Sequence, residues 1–153
     1  MSGIKSIKNL KPTGNGRYQQ GYINPEACRK LFPTISHDKI IYRSSYEKKF
    51  IYYLENCPQV RYWGSECVQI VYMSVLDMKT HRYFPDYFIE FVDGTRMLVE
   101  VKPLNQTKPP VNENSWGHRE YIRNMCKWKA AQEWCQSRGI KFKVLTEKTI
   151  ENL

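Results

Sequence analysis

One stretch constrains this chain more than any other: FPDYFIEFVDGTRMLVEVKP, Phe84 to Pro103. Asp93-Gly94 marks a tight turn between two runs rich in β-branched and aromatic residues, so the stretch reads as a β-hairpin. A two-residue type I′ turn would set Asp86 opposite Val101, Tyr87 opposite Glu100 and Glu90 opposite Met97, which mismatches every charge. A three-residue loop, Val92-Asp93-Gly94 with Gly94 in the left-handed region, sets Glu90 opposite Arg96 and Phe88 opposite Leu98 instead. Opposite-charge and apolar cross-strand pairs each contribute about 0.2–1 kcal/mol, so the second register is the expected one. It also brings Asp86 opposite Glu100.

Two opposed carboxylates repel by about 4 kcal/mol at about 4 Å and an effective dielectric near 20. Something cationic is expected between them. Lys102 shares a face with Glu100, since side chains alternate with period two. A divalent ion answers better, because hard cations take carboxylate and carbonyl oxygens and the Val101 carbonyl lies between the two polar strand ends. The alternative is a solvated salt bridge between Lys102 and one acid.

The surroundings fit a single folded domain. Hydrophobic residues make up 41% and aromatic residues 14% of the 153, enough for one packed core. No apolar run reaches membrane-spanning length and no secretory h-region follows the start, so a soluble chain is expected. Five cysteines form no C-x-x-C pair and three histidines stand far apart, which leaves a structural zinc site without support and predicts reduced thiols. The formal net charge of +9 is unevenly spread: residues 1–43 carry +6, residues 44–103 carry −1 and residues 104–153 carry +4. A basic excess in the flanks suits phosphate contacts around a central region that keeps its acids.

Residues 1–22 read as a basic arm carrying Lys5, Lys8, Lys11 and Arg17, and residues 23–153 as one domain. Asn24-Pro25 predicts the opening of a short helix. The run YRSSYEKKFIYYLENCP places Tyr46, Phe50, Tyr53 and Leu54 at helical spacing and stops before Pro58. One or two strands follow over VRYWGSECVQIVYMSV, then a polar turn around Asp77 to Thr80. After the hairpin, PLNQTKPPVNENS predicts a connection without regular structure, the kind of long loop that is often functional. A second helix starts near Trp116 and stops at Gly139, with Arg119, Arg123 and Lys127 on one face, and IKFKVLT is a closing strand. The order predicts an α/β (α+β) fold with helices on a mixed sheet.

Pro85-Asp86 followed after a hairpin by Glu100-Val101-Lys102 resembles the PD-(D/E)XK nuclease motif. The pattern is similar to the transposon-end nucleases of the TnsA type and to the head-completion nucleases of large tailed bacteriophages. The resemblance implies a restriction-endonuclease-like fold and Mg²⁺-dependent hydrolysis of phosphodiesters in double-stranded DNA, with Mn²⁺ able to substitute. It implies that Asp86, Glu100 and the Val101 carbonyl hold the metal, that Lys102 is catalytic, and that Glu47, on the preceding helix, completes the site directly or through water. It further implies action on packaged DNA ends before head-tail joining, in the host cytoplasm during assembly or with the virion, beside head, portal or neck proteins. The rival readings are a non-catalytic DNA-end binding protein of the virion and a transposase-type endonuclease subunit.

Each side residue has a structural reading too. Ser44-x-x-Glu47 is a capping box, compatible with a metal role. Glu66 reads as an outward strand carboxylate and His81 as an exposed turn histidine. Lys127 and Lys129 are candidate phosphate contacts on a helix face. Trp116, Trp128 and Trp134 read as packing groups rather than base-stacking platforms.

Overall fold

A computed structural model describes residues 20–112 and 115–153. Numbered in chain order, the hairpin consists of β6, Tyr87–Phe91, and β7, Arg96–Val101. Its register is the one the charges favoured: Glu90 pairs with Arg96, Phe88 with Leu98 and Tyr87 with Val99. Gly94 sits at φ +89°, where a side chain would be strained, and its amide bonds to the Phe91 carbonyl at 2.9 Å.

Two further strands complete a four-stranded mixed sheet in the order β3-β6-β7-β8, where β3 is Val60–Ser65 and β8 is Lys141–Leu145. β3 runs antiparallel to β6 and β8 parallel to β7. A parallel neighbour requires a crossover, and helix α2, Trp116–Gln136, provides it. Helix α1, Ser45–Asn56, covers the opposite face.

Alternation assigns each strand residue to one of these helices. Tyr87, Ile89 and Val99 pack with Phe50, Ile51 and Leu54 of α1, while Leu98 packs with Trp128, Ala131 and Cys135 of α2. Burying each large apolar side chain contributes about 1.5–3 kcal/mol, so both faces are strongly specified. A one-residue slip of the hairpin would turn every one of them the wrong way.

A second hairpin, β4 (Ile70–Ser74) with β5 (Lys79–Tyr83), packs Ile70, Tyr72 and Tyr83 against α2. The expected turn at Asp77 to Thr80 therefore ends early, with Met78 in the left-handed region at φ +57° and strand pairing from Lys79. His81 lies on β5, not in a turn; its ring bonds Asp77 at 2.7 Å.

Three elements were not expected. β1 (Gly21–Ile23) and β2 (Ile40–Tyr42) form a small antiparallel ladder, and α3 (Glu147–Glu151) buries Ile150 in the α1-side core. The short helix expected at Pro25 is a single 3₁₀ turn, Pro25–Ala27, capped by Asn24. The connection after β7 holds another, Leu104–Gln106, so it is not wholly irregular. The architecture is α+β, a restriction-endonuclease-like mixed sheet flanked by helices.

Candidate functional site

The start of β6, the end of β7 and the first turn of α1 meet at one end of the sheet. They line a cavity of about 850 Å³ containing Glu47, Asp86, Glu100, Val101 and Lys102. Asp86 precedes β6 by one residue; its Oδ2 accepts from the Val101 amide at 2.7 Å, and its carbonyl accepts from the Glu66 amide at 3.0 Å. A strand residue presents its N–H and C=O on the same edge, so the Val101 carbonyl is directed toward Asp86 as well.

Glu100 is 8% exposed and accepts a hydrogen bond from the Tyr83 hydroxyl. The Asp86 and Glu100 carboxyls line the same cavity, near enough for each to act on the other's ionisation. Burial, then the charge of Asp86, pushes the Glu100 carboxyl well above the ordinary range, and burial raises Asp86 too.

Glu47 approaches from α1. Its amide bonds the Ser44 hydroxyl at 3.1 Å, and its Oε2 accepts from the Arg43 amide at 3.1 Å. The capping box is therefore present, displaced by one residue on the carboxylate side. Glu47 is nevertheless buried, and burial together with the charge of Asp86 lifts it to about 7.

The donor chemistry fits a hard divalent cation. Two carboxyls at one cavity, beside the backbone of Val101, would both be satisfied by one such ion. Among the described residues no three His, Cys, Asp or Glu side chains stand close enough to ligate one ion together. Glu47, held at the helix cap, faces the Asp86–Glu100 pair rather than joining it.

Lys102 lines the cavity, and none of the ion pairs within 4.0 Å among the described residues uses it. Lys127 reaches the same neighbourhood from α2, with its Nζ 5.5 Å from the centre of the Tyr83 ring. Burial, then the charge of Lys102, depresses the Lys127 ammonium, while Glu100 and Asp86 act in the opposite sense. Lys129 and Arg119 are exposed elsewhere on α2, and Arg123 is ion-paired with Glu120. Lys5, Lys8, Lys11 and Arg17 lie outside the described residues.

Four features escaped the sequence reading. Tyr83 fixes Glu100, although only a strand assignment for residues 79 to 83 could have pointed it inward. Glu66 is no outward strand carboxylate: it sits past the end of β3 at φ +50° and pairs with Arg43 at 2.7 Å, beside the backbone of Asp86. Asn105 and Gln106 join the cavity wall, as does Glu147, whose Oε2 accepts from the Leu104 amide at 2.9 Å. Trp116 is 76% exposed, contrary to the packing role expected of it, whereas Trp128 is a core residue as expected.

A carboxylate pair, a lysine and a buried acid at the end of a mixed sheet define a chain of the endonuclease class. Residues 57–147 match the TnsA-like endonuclease N-terminal family, and the chain belongs to that family. The match spans Asp86, Glu100, Lys102 and Lys127 and begins after Glu47. One relative is the head completion nuclease of Enterobacteria phage T4, 36% identical over 125 residues, which cover 75% of this chain and 83% of that protein.

Proposed function

We propose that this chain is a divalent-metal-dependent deoxyribonuclease of the PD-(D/E)XK type that acts on packaged DNA ends before head-tail joining. The observation that carries the proposal is the Asp86 and Glu100 carboxyls brought to one cavity beside Val101 and Lys102. Asp86, Glu100 and the Val101 carbonyl would hold Mg²⁺ or Mn²⁺. When bound, such an ion polarises a phosphate oxygen and lowers the pKa of water.

The chain's own groups do the remainder. Lys102 offsets negative charge that grows on the phosphorus centre and orients the attacking water by hydrogen bonding. Glu47, lifted to about 7, is able to accept a proton near neutrality. Lys127 adds a second cation near Lys102 and Glu100, and the basic amino-terminal segment supplies affinity for the duplex backbone without reading sequence. The relative's name refers to head completion, which supports the reading that this chain acts in the host cytoplasm during assembly, beside head, portal or neck proteins.

The test is cleavage of linear and circular double-stranded DNA in Mg²⁺, Mn²⁺ or EDTA. Asp86→Asn and Lys102→Ala should each lower cleavage by about a thousandfold with an unchanged circular dichroism spectrum. Full activity in either variant, or in EDTA, overturns the assignment.

A further inference from the structure

Beside the main cavity lies a second one of about 150 Å³, and the two share Asn105 and Gln106 as a common wall. Those residues belong to the 3₁₀ turn that follows Lys102 after Pro103, pinned by the bond from the Leu104 amide to Glu147. The far wall is the first part of α2, with Trp116, Tyr121 and Asn124. Lys108 stands at the same cavity, and Glu120, its one acid, is ion-paired with Arg123.

Two observations make this a built site rather than a dimple. Asn124 is 5% exposed and lines the cavity, and among the described residues its carboxamide makes no side-chain hydrogen bond, yet it is not one of the fully buried unpaired polar groups, so what access it has is to the cavity. Its donor and acceptor are therefore open to a polar group bound in the cavity. Trp116 leaves 76% of its surface in water at the cavity's edge. An exposed aromatic face, carboxamides able to pair with base edges and a nearby ammonium are the combination that holds an unstacked nucleotide.

We infer that this cavity is a subsite for one unpaired nucleotide next to the cleavage centre, with Trp116 as stacking platform and Asn124 as base-edge partner. The volume admits a single planar base and no duplex. The substrate class is accordingly DNA with a frayed or overhanging end, in preference to a continuous duplex. This substrate assignment rests on the nuclease reading, while binding at the subsite is measurable without cleavage.

The experiment uses Asp86→Asn in EDTA, so that nothing is cut, with duplexes carrying 2-aminopurine either in a short overhang or in the middle of the paired region. Binding should change the fluorescence of the overhang probe and leave that of the paired probe unchanged. Adding Trp116→Ala should abolish the change and weaken overhang binding about tenfold, and Trp116→Phe should restore most of it. Equal affinity of Asp86→Asn and its Trp116→Ala derivative for the overhang, or an equal response from both probes, overturns the subsite. A wild-type protein that never cleaves but still discriminates the overhang refutes the nuclease reading and upholds the subsite. A protein that cleaves without such discrimination does the reverse.

Discussion

Helix α1 buries a carboxylate at each end, and the two are treated in opposite ways. Near its carboxyl end Glu55 is fully buried and accepts three hydrogen bonds: from the Arg29 amide at 2.7 Å, the Lys30 amide at 2.9 Å and the Trp63 indole at 2.8 Å. At the amino end Glu47 accepts from the Arg43 amide at 3.1 Å and from the Ser44 hydroxyl at 3.3 Å, and it feels the charge of Asp86. Every buried charge must be compensated. At Glu55 the chain supplies the whole compensation. At the Glu47 end it brings acids together and leaves them short of positive charge, a local conflict of the kind folds keep at functional sites. The difference separates a carboxylate that builds structure from carboxylates that the fold leaves without full compensation.

The sharpest way to break the comparison is to remove each acid and measure the fold. Glu55→Ala strands two amides and an indole N–H in a dry interior and unties residues 29 and 30 from α1. It should lower unfolding free energy in urea by about 4 kcal/mol. A loss below about 1 kcal/mol would mean that the Glu55 end is no more structural than the other.

Glu47 should act on stability in a pH-dependent way. Its carboxyl rises from the model-compound value of 4.5 to about 7 in the folded protein, through burial first and Asp86 second. Between those values the folded state holds the extra proton, so the contribution of this carboxyl to stability is full below about 4.5 and is lost as pH climbs through 7. The expected fall is about 3 kcal/mol, read as a declining urea midpoint in metal-free buffer from pH 4.5 to 8. Glu47→Gln should remove this share and leave that of Asp86 and Glu100, whose carboxyls are raised as well; an unchanged slope would show that burial does not raise Glu47.

This contrast also marks how far the sequence could be read. The hairpin register followed from cross-strand charge and size, because period-two alternation and one Asp-Gly turn leave few options, and with it came the meeting of Asp86 and Glu100. Trp63, Glu55 and the backbone at Lys30 are brought together only by folding, so Glu55 passes for a polar residue at the end of a helix. β1 and β2 span only Gly21–Ile23 and Ile40–Tyr42, too short for any period to show. Glu66 was misjudged for a different reason: its left-handed backbone at φ +50° turns the chain out of β3, and no alternation rule foresees that in a non-glycine residue. Trp116 shows the limit of composition, since apolar content says nothing about which indole is left in water.

The smallest expected effect sharpens the comparison inside the site itself. Tyr83 lies at the end of β5 and donates to Glu100, among the described residues the one neutral side-chain donor to the carboxyl pair from outside the hairpin. That bond favours the charged form of Glu100, opposing burial and the charge of Asp86. Tyr83→Phe keeps the ring packed under Lys127 and deletes only the hydroxyl. Glu100 then gives up its proton less readily, so a divalent cation, which must displace that proton, binds more weakly. The Mg²⁺ concentration for half-maximal cleavage should rise about tenfold while the rate at saturating Mg²⁺ changes little, as for groups that orient a ligand rather than react. Calorimetric titration with Mg²⁺ alone should show the same tenfold weakening. If Tyr83→Phe lowered the saturated rate and left Mg²⁺ affinity untouched, the hydroxyl would belong to the reacting groups, and the Glu100 end would need no help from β5 to hold its ion.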